Sequence, residues 1–436
     1  MKKVLSLFTL LTIMITLSAC NDENNISFNL VGGDTSYEIA DTYSEPGFIA
    51  TDGRKDISDN VTISESINID TAADYVVSYT LDYEGYTETI DRNVYYREVG
   101  CSVIEDTTTT QCTVNYSQYL HTYIKLKVYY DGDVYNGDVH SIFGNVESII
   151  AEYHELSDKY DNYDGVVNVK TINDNPTAVH TIDQKLFDLI AFTIEHQDEV
   201  NNLFNLALGP VLQIWHNYRE DCTLNEVCAL PSTTELNNAN QYTDYNDIIL
   251  DEENLTITMS ENMSIDLGGV SKGYISNVVV EYLDQLNFSA YLLNNGESNI
   301  SIGGPHPTRE NGKFLLAVSD PTFATFYYAT VYLGDGDQLV TSGDYQQYYV
   351  VDGALYHHII NPTTLFPERY SRSVSIVTSE AGLADLYSTA IFTMPLDDGI
   401  AFVDTIDGLE AIWYGMDGIV YFSENFEANY LAELTE

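Results

Sequence analysis

The chain has 436 residues, of which 44% are hydrophobic, so it can bury packed cores and is long enough for more than one domain. Its 17 basic and 67 acidic residues give a formal net charge of −50 at pH 7. A charge of this size and sign argues against binding to nucleic acid. It also argues against direct binding of the protein surface to anionic lipids.

Residues 1–20 are typical of a secretory signal. Two lysines precede an apolar stretch that is too short to span a bilayer as a mature helix and that ends in small residues. The last four residues, LSAC, resemble the lipobox of bacterial lipoproteins, in which the cysteine, here Cys20, is lipidated. We therefore expect a lipid-anchored protein on the extracytoplasmic face of the cell membrane. The alternative is an ordinary cleaved signal in which Cys20 is incidental.

Residues 26–98 follow a short polar tether and predict a small all-β sandwich. The runs VTISESINI, YVVSYTLDY and TETIDRNVYY are rich in β-forming residues and alternate with turn residues. The stretch DTYSEPGFIATDGRKDISDNVTIS is similar to the repeat of bacterial Ig-like surface modules. We expect this domain to act as a spacer or adhesive module without chemistry of its own.

Four further cysteines fall in two close pairs, Cys101 with Cys112 and Cys222 with Cys228. Each pair could close a short loop as a disulfide in an oxidising compartment. A zinc site is the alternative, but no histidine lies at ligand spacing from either pair. Two disulfides are the favoured interpretation, and they agree with export.

Residues 116–428 predict one large domain of mixed strands and helices, so the chain as a whole belongs to the α+β class. The segment YIKLKVYYDGDVY is typical of a strand. Apolar residues then recur at helical spacing from Val146 to Tyr160, and a second apolar helix is predicted around Leu186 to Ile194.

The stretch SIDLGGVSKGY, residues 264–274, predicts a strand that ends at Asp266, a glycine turn and a helix. Its spacing fits neither a P-loop nor a dinucleotide fingerprint. Free N–H groups at the helix start, with Lys272 beside them, would favour an anion. A tight strand-to-helix turn without a ligand explains the pattern equally well.

A hairpin is predicted for residues 341–364, with Ser342, Asp344, His357 and His358 near its ends.

Residues 382–394 predict a helix on which Asp385 and Thr389, four positions apart, share one face. A carboxylate and a hydroxyl suit a hard cation such as Mg²⁺. Such a pair is also common as a solvated patch or a local hydrogen bond.

Together and in this order, these segments resemble the ApbE-like FAD:protein FMN transferase family. The resemblance covers roughly residues 116–428 and implies a Mg²⁺-dependent enzyme, commonly an exported lipoprotein. Such an enzyme takes FAD, transfers FMN to a Thr or Ser hydroxyl of an exported or membrane-bound acceptor protein through a phosphoester, and releases AMP. The motifs that carry the resemblance are LSDKYDNYDG, LFNLALGPVLQIW, IDLGGVSKGY, TSGDYQQYY, YHHIINP and ADLYSTAIF.

The resemblance also implies roles for single residues. The metal would be held by the backbone carbonyl of Gly269, the carboxylate of Asp385 and the hydroxyl of Thr389, with Ser388 close by. His358 matches the family's general base on the acceptor hydroxyl, and a structural histidine that caps the hairpin is the alternative. The residues expected to contact FAD are Tyr160, Leu203, Phe204, Asn205, Asp266, Lys272 and Ile359.

Four positions depart from the family pattern. Asn205 and Asn361 stand where the family usually has aspartate, and Leu365 and Glu297 stand where it usually has glycine. Because asparagine keeps the hydrogen-bonding shape of aspartate but loses its charge, these replacements bear on FAD affinity more than on the fold.

Three functions remain open on sequence grounds. The first is the flavin transferase, and the second is an FAD pyrophosphatase that uses water as the acceptor and gives FMN and AMP. The third is a non-catalytic FAD-binding surface lipoprotein, which the asparagine replacements favour. The retained Asp385, Thr389 and His358 oppose this third function.

Overall fold

We describe the protein from a computed structural model. The described residues are 26–31, 35–38, 43, 45–53, 55–69, 73–97, 99–117, 119–131, 138–323 and 326–435.

The expected signal sequence, its Cys20 and the polar tether lie outside the described residues. Within the described part of the chain, no helix is long and apolar enough to cross a membrane. The chain divides into two compact units. The first takes in the described residues of Met1–Gly33, Tyr43–Asn68 and Tyr75–Asn93, and the second takes in those of Asp34–Thr42, Ile69–Asp74 and Val94–Glu436.

The described residues of the first unit form strands and a 3₁₀ turn, as the sequence predicts. Strands β1, β3 and β4 form one sheet, and β5, β6 and β7 lie side by side in a second. In β6 every second residue from Val77 to Tyr83 is buried, which is the period expected of a half-buried strand. The strands of these two sheets are β1 (Ile26–Leu30), β2 (Thr35–Glu38), β3 (Phe48–Asp52), β4 (Lys55–Asp56), β5 (Val61–Ser64), β6 (Ala73–Tyr83) and β7 (Tyr86–Arg97). Strand β2, residues 73–74 of β6 and residues 94–97 of β7 are assigned to the second unit.

The second unit is built on a nine-stranded sheet with the order β23-β22-β21-β18-β15-β14-β10-β9-β8, in which each neighbouring pair is antiparallel. Its strands and the remaining ones of this unit are β8 (Gly100–Val103), β9 (Thr109–Tyr116), β10 (Ile124–Asp131), β11 (His180–Thr181), β12 (Ile249–Asp251), β13 (Thr256–Thr258), β14 (Ala290–Asn295), β15 (Asn299–Gly303), β16 (Phe314–Ser319), β17 (Tyr327–Leu333), β18 (Gln338–Gly343), β19 (Tyr348–Val351), β20 (Ala354–His357), β21 (Ser371–Thr378), β22 (Glu410–Gly415), β23 (Val420–Phe422) and β24 (Leu431–Leu434).

Helices cover one face of this sheet. Helix α7 packs against β18 and β21, and α6 packs against both α7 and α1. Val374 and Ile376 join the core on the helical face, whereas Val377 joins a second core with β16 and β17, as alternation along a strand requires. The helices are α1 (Val139–Ser157), α2 (Val169–Asp174), α3 (Gln184–His196), α4 (Gly209–Asn225), α5 (Thr233–Ala239), α6 (Ser271–Asp284), α7 (Ala381–Phe392), α8 (Leu396–Val403) and α9 (Phe426–Asn429).

Two disulfides join the cysteines in the pairs expected from the sequence. Cys101 on β8 lies directly opposite Cys112 on β9, and the two are bonded. Cys222 near the end of α4 is bonded to Cys228 in the loop that follows.

The first long helix ends earlier than the sequence predicts, and Tyr160 lies beyond it. Helix α1 stops at Ser157 because Asp158 takes an extended backbone conformation. The Oδ1 atom of Asp158 accepts hydrogen bonds from the N–H groups of Tyr160 at 2.6 Å and Asp161 at 3.3 Å. This local turn competes with the helix and directs Tyr160 away from its axis.

The strand predicted to end at Asp266 is absent, since residues 259–267 hold no regular element. The side chain of Asn173 makes the hydrogen bonds to this backbone that a neighbouring strand would otherwise make. Asn173 accepts from the N–H of Ile265 at 2.8 Å and donates to its carbonyl at 2.9 Å, and Asp266 N donates to the carbonyl of Leu206 at 2.8 Å.

The predicted hairpin forms over β19 and β20, with Tyr348 opposite His357. Ser342 does not belong to this hairpin, since it lies on β18 of the nine-stranded sheet.

Candidate active site

A cavity of about 540 Å³ lies in the second unit, where the turn after α1, the start of α6, helix α4, helix α7 and the end of the β19–β20 hairpin meet. Segments far apart in sequence supply its wall. The sequence-predicted site residues that line it are Tyr160, Leu203, Phe204, Asn205, Asp266, Gly269, Lys272, His358, Ile359, Asp385 and Thr389.

The predicted metal ligands meet on one side of the cavity. Asp385 on α7 is 6% exposed, and its two oxygens accept hydrogen bonds from the N–H of Gly273 and from the side chain of Asn299 at 2.8 Å. One turn further along α7, the Thr389 hydroxyl would lie 3.4 Å from a Cβ atom placed on Gly269. Neutral donors alone therefore satisfy a buried carboxylate, next to a hydroxyl and a glycine turn.

Gly269 allows two side chains to approach its backbone closely. A Cβ atom at this position would lie 2.9 Å from the ring of Phe204, which is closer than real contacts allow. A glycine is therefore required where Phe204 packs against the turn.

Ser388 does not line the cavity. It is 1% exposed, and its hydroxyl lies 2.9 Å from that of Ser342, which does line it.

Lys272 occupies the second position of α6, and its ammonium donates to the Ser298 hydroxyl at 2.7 Å. None of the ion pairs formed by described residues includes Lys272. The Asp385 carboxylate already accepts the Gly273 N–H at this helix N-terminus, so it is the unpaired Lys272 ammonium that favours an anion in the cavity.

Asp266 is held by a residue that the sequence interpretation missed. Its Oδ2 atom forms an ion pair with Lys159, and its Oδ1 atom accepts from the N–H of Gly268 at 2.8 Å. Burial alone would raise the pKa of Asp266, but the Lys159 ammonium and the Gly268 N–H hold this pKa below its usual range. Both carboxylate oxygens are thus engaged within the protein.

The neighbouring histidines of the hairpin occupy different surroundings. His357 is 2% exposed, donates from Nε2 to the Glu368 carbonyl at 2.6 Å and accepts at Nδ1 from the N–H of Ile359 at 3.2 Å. His358 lines the cavity, and its Nδ1 atom lies 3.3 Å from the Gln347 carbonyl. A carbonyl can only accept, so Nδ1 of His358 carries the proton and Nε2 holds the free lone pair.

The ring of His358 is neutral at pH 7. Burial in the cavity wall, together with His357, Arg219 and Lys272, lowers the pKa of His358 to about 3. A negative group bound beside the two cations would raise this pKa again.

A second group that the sequence interpretation missed lies on α4. Arg219 donates to Nδ1 of His216 at 3.1 Å, and the His216 ring lies 5.5 Å from the ring of Tyr160. All three side chains line the cavity. The spacing of His216 and Arg219, three residues apart on a helix, is visible in the sequence, but nothing there connects it to Tyr160.

A model described as the ApbE family matches residues 120–413 of the chain. The chain belongs to the ApbE family.

Known members resemble this chain over most of the second unit. A protein of Klebsiella pneumoniae named FAD:protein FMN transferase is 26% identical over 243 residues, which are 53% of this chain and 70% of the relative. A protein of Treponema pallidum with the same name is 25% identical over 265 residues, which are 54% of this chain and 67% of that relative.

Solved ApbE structures share the fold. The ApbE protein of Thermotoga maritima matches with a TM-score of 0.63 and 26% identity, over 72% of this chain and 98% of that protein. The apo form of the flavinyl transferase ApbE of Pseudomonas stutzeri matches with a TM-score of 0.62 and 20% identity, over 74% of this chain and 98% of that protein.

The two positions where ApbE proteins are expected to have glycine keep a glycine-like backbone here. Glu297 has φ of 59° and Leu365 has φ of 62°, both in the left-handed region. A residue with a side chain is strained at such a φ, so the turns retain their shape at some cost in stability.

Asn361 keeps the turn of the expected aspartate. Its side-chain oxygen accepts from the N–H groups of Thr363 at 2.8 Å and Thr364 at 3.3 Å.

Proposed function

We propose that this protein transfers FMN from FAD to a Ser or Thr hydroxyl of an acceptor protein, with Mg²⁺, and releases AMP. One observation carries the proposal: a single cavity is lined by Asp385, Thr389, Gly269, Lys272 and His358, which are the residues that a phosphoryl-type transfer needs. Membership of the ApbE family and the names of its relatives support the same activity.

The metal would be held by the Gly269 carbonyl, the Asp385 carboxylate and the Thr389 hydroxyl. Among the described residues there is no group of three or more His, Cys, Asp or Glu side chains that could hold a metal. A site with one carboxylate still fits Mg²⁺, which commonly completes its shell with waters and substrate phosphate. The Asp385 carboxylate is buried and forms no ion pair with any described residue, which supports this assignment.

The proposed step forms a bond between the acceptor oxygen and the phosphorus atom of the FMN phosphate. The bond from that phosphorus to the AMP oxygen breaks, AMP leaves, and the acceptor proton passes to Nε2 of His358. Bound Mg²⁺ would neutralise charge on the diphosphate during this step. Lys272 adds a fixed positive charge, and the neutral His358 ring has a lone pair available for the proton.

The test is to incubate the full chain with FAD and Mg²⁺, with and without a candidate acceptor protein, and to measure AMP and acceptor-bound flavin. We expect AMP only when the acceptor is present. AMP without the acceptor would instead indicate FAD hydrolysis, and no AMP under either condition would indicate an FAD-binding protein without turnover.

We also propose that the protein acts outside the cytoplasm, anchored by a lipid on Cys20, where it would meet an exported or membrane-bound acceptor. The two disulfides support an oxidising compartment. Cys20→Ser should release the protein from the membrane fraction of the producing cell. Unchanged membrane association of that variant would contradict the lipid anchor.

A further inference from the structure

Three cations line the cavity of a chain in which acidic residues outnumber basic ones by 67 to 17. They are Lys159, Lys272 and Arg219. Lys159 is paired with Asp266, so its charge is balanced inside the protein. Lys272 and Arg219 take part in none of the ion pairs found within the described ranges. Lys272 and Arg219 are therefore cations without an ion-pair partner in the described part of the chain, in a cavity wall that also holds the carboxylates of Asp158 and Asp385.

A hydrogen bond to the neighbouring His216 orients the Arg219 guanidinium. Its Nη2 atom donates to Nδ1 of His216 at 3.1 Å, and the His216 ring packs against Tyr160. Because Nδ1 accepts this bond, His216 is neutral, and burial together with Arg219 and Lys159 keeps its pKa below the usual value. The guanidinium keeps further N–H donors, in a planar fork that suits a phosphate.

Arg219 and Lys272 act on the same group. Both line the cavity that His358, the proposed proton acceptor, also lines, and both contribute to lowering the pKa of His358. A diphosphate at this position brings two negative charges, and Lys272 alone would leave one of them without a fixed partner.

We propose that Arg219, oriented by His216, binds a phosphate oxygen of the dinucleotide as the second cation of the diphosphate subsite. This inference rests on the proposed function, since it names a further binding residue for the same substrate.

The test compares Arg219→Gln with Arg309→Gln, which removes the same charge from an exposed loop residue that does not line the cavity. FAD binding to the full chain with Mg²⁺ is measured by flavin fluorescence, together with binding of riboflavin, which has no phosphate. We expect Arg219→Gln to weaken FAD binding roughly 10- to 100-fold, as for loss of a hydrogen bond to a charged group, and to change riboflavin binding little. Arg309→Gln should match the wild type.

Two further variants separate a binding role from a structural one. Arg219→Lys should retain part of the FAD affinity, because it keeps the charge but loses the fork. His216→Phe keeps a ring beside Tyr160 but removes the acceptor for Arg219, and it should weaken FAD binding less than Arg219→Gln does.

The possible results are distinguishable. FAD affinity of Arg219→Gln within threefold of wild type, or an equal loss for FAD and riboflavin, would overturn the assignment while leaving the proposed function intact. A wild-type protein that binds no FAD in the presence of Mg²⁺ would overturn the proposed function and this inference together.

Discussion

Buried or half-buried cations occur in both units, but their surroundings differ. In the first unit Arg92 is fully buried and donates to the carbonyls of Val31 at 3.0 Å and Gly47 at 2.9 Å and to the Tyr79 hydroxyl at 3.2 Å. Glu45 lies 3.7 Å away as its counter-charge. Hydrogen bonds and charge are thus both satisfied by the protein.

In the second unit Lys272 and Arg219 line a cavity and lack such a counter-charge among the residues that the structure describes. The comparison separates two roles for the same kind of side chain. Where the protein satisfies a charged group, its loss should cost stability. Where a charged side chain has no ion-pair partner within the protein, removing that side chain should weaken ligand binding or slow turnover.

The largest effect is expected at Asp385, a charged group that neutral donors alone satisfy. Asp385→Ala should lower Mg²⁺-dependent AMP release by on the order of 10³-fold or more, since charge stabilisation by a metal is worth several kcal/mol. The measurement is AMP release at saturating Mg²⁺, with the exposed Asp398→Ala as a control that should keep wild-type activity.

Stability needs its own control at this position, because Asp385 is buried rather than exposed on its helix. Asp385→Ala leaves the Gly273 N–H and Asn299 without their acceptor, and each lost partner costs about 1–3 kcal/mol. Asp385→Asn keeps one acceptor oxygen and the side-chain shape. If Asp385→Asn folds and still releases AMP at the wild-type rate, the metal assignment is wrong.

The second effect concerns the two neighbouring histidines of the hairpin. His357 is satisfied by hydrogen bonds within the protein, whereas His358 lines the cavity. His358→Asn should slow FMN transfer by roughly 10²–10⁴-fold, the usual loss for a general base, and should leave FAD binding almost unchanged. His357→Asn should instead lower the unfolding midpoint, because both ring nitrogens of His357 are hydrogen-bonded in a buried position. Single-turnover transfer, FAD affinity and thermal unfolding of both variants decide between the roles.

The pKa of His358 gives an independent check. Because this pKa is about 3 in the folded protein, the ring is neutral from pH 7 down to well below pH 5. Its unfolded value is about 6.5, so protonation favours the unfolded chain, and stability from this group falls as the pH drops from about 6.5 towards 3. Histidine NMR should show the pKa rising when FAD binds. An unchanged value would mean that no phosphate lies near His358.

The third effect is expected in the first unit. Arg92→Met should destabilise that unit by about 1–3 kcal/mol, because it leaves the Val31 carbonyl without the Arg92 donor, whereas the Gly47 carbonyl keeps its bond from the N–H of Val31 at 2.9 Å. AMP release should not change, since the cavity residues all belong to the second unit. Calorimetry and the AMP assay together test this separation, with Lys55→Met, an exposed cation of the same unit, as the control. Lost AMP release in a folded Arg92→Met protein would contradict it.

Much of the fold and of the site was predictable from local sequence patterns. Helices α3 and α7, the strands of the first unit and the hairpin follow from periodicity and turn residues, and the family motifs contain most of the residues that line the cavity, although not His216 and Arg219. The ion pair of Lys159 with Asp266 was not predictable, because 107 positions separate the partners and only the folded chain brings them together. The end of α1 was missed because an aspartate side chain, rather than a proline or glycine, stops the helix.

The smallest effect is expected at Asn205, where the sequence suggested that loss of an aspartate weakens FAD binding. The Asn205 oxygen accepts from the N–H of Ala207 at 2.8 Å, and its amide donates to the carbonyl of Thr243 at 2.9 Å. Asn205→Asp keeps the first bond but places a carboxylate oxygen against the Thr243 carbonyl, which cannot donate. We expect a loss of about 1 kcal/mol in stability and an FAD affinity within about threefold of wild type.

Asn202→Asp, an exposed position in the same segment, adds the same charge without these contacts and serves as the control for that prediction. The two variants are compared by thermal unfolding and by FAD titration with Mg²⁺. The protein satisfies both polar atoms of Asn205 with internal hydrogen bonds. We therefore expect Asn205, like Arg92, to contribute to stability and not, like Arg219, to ligand binding, although Asn205 lines the cavity. Tenfold tighter FAD binding by Asn205→Asp, with no such change in Asn202→Asp, would show that the position contacts the ligand after all. In that case hydrogen bonds within the protein would not be enough to assign a cavity residue to the fold.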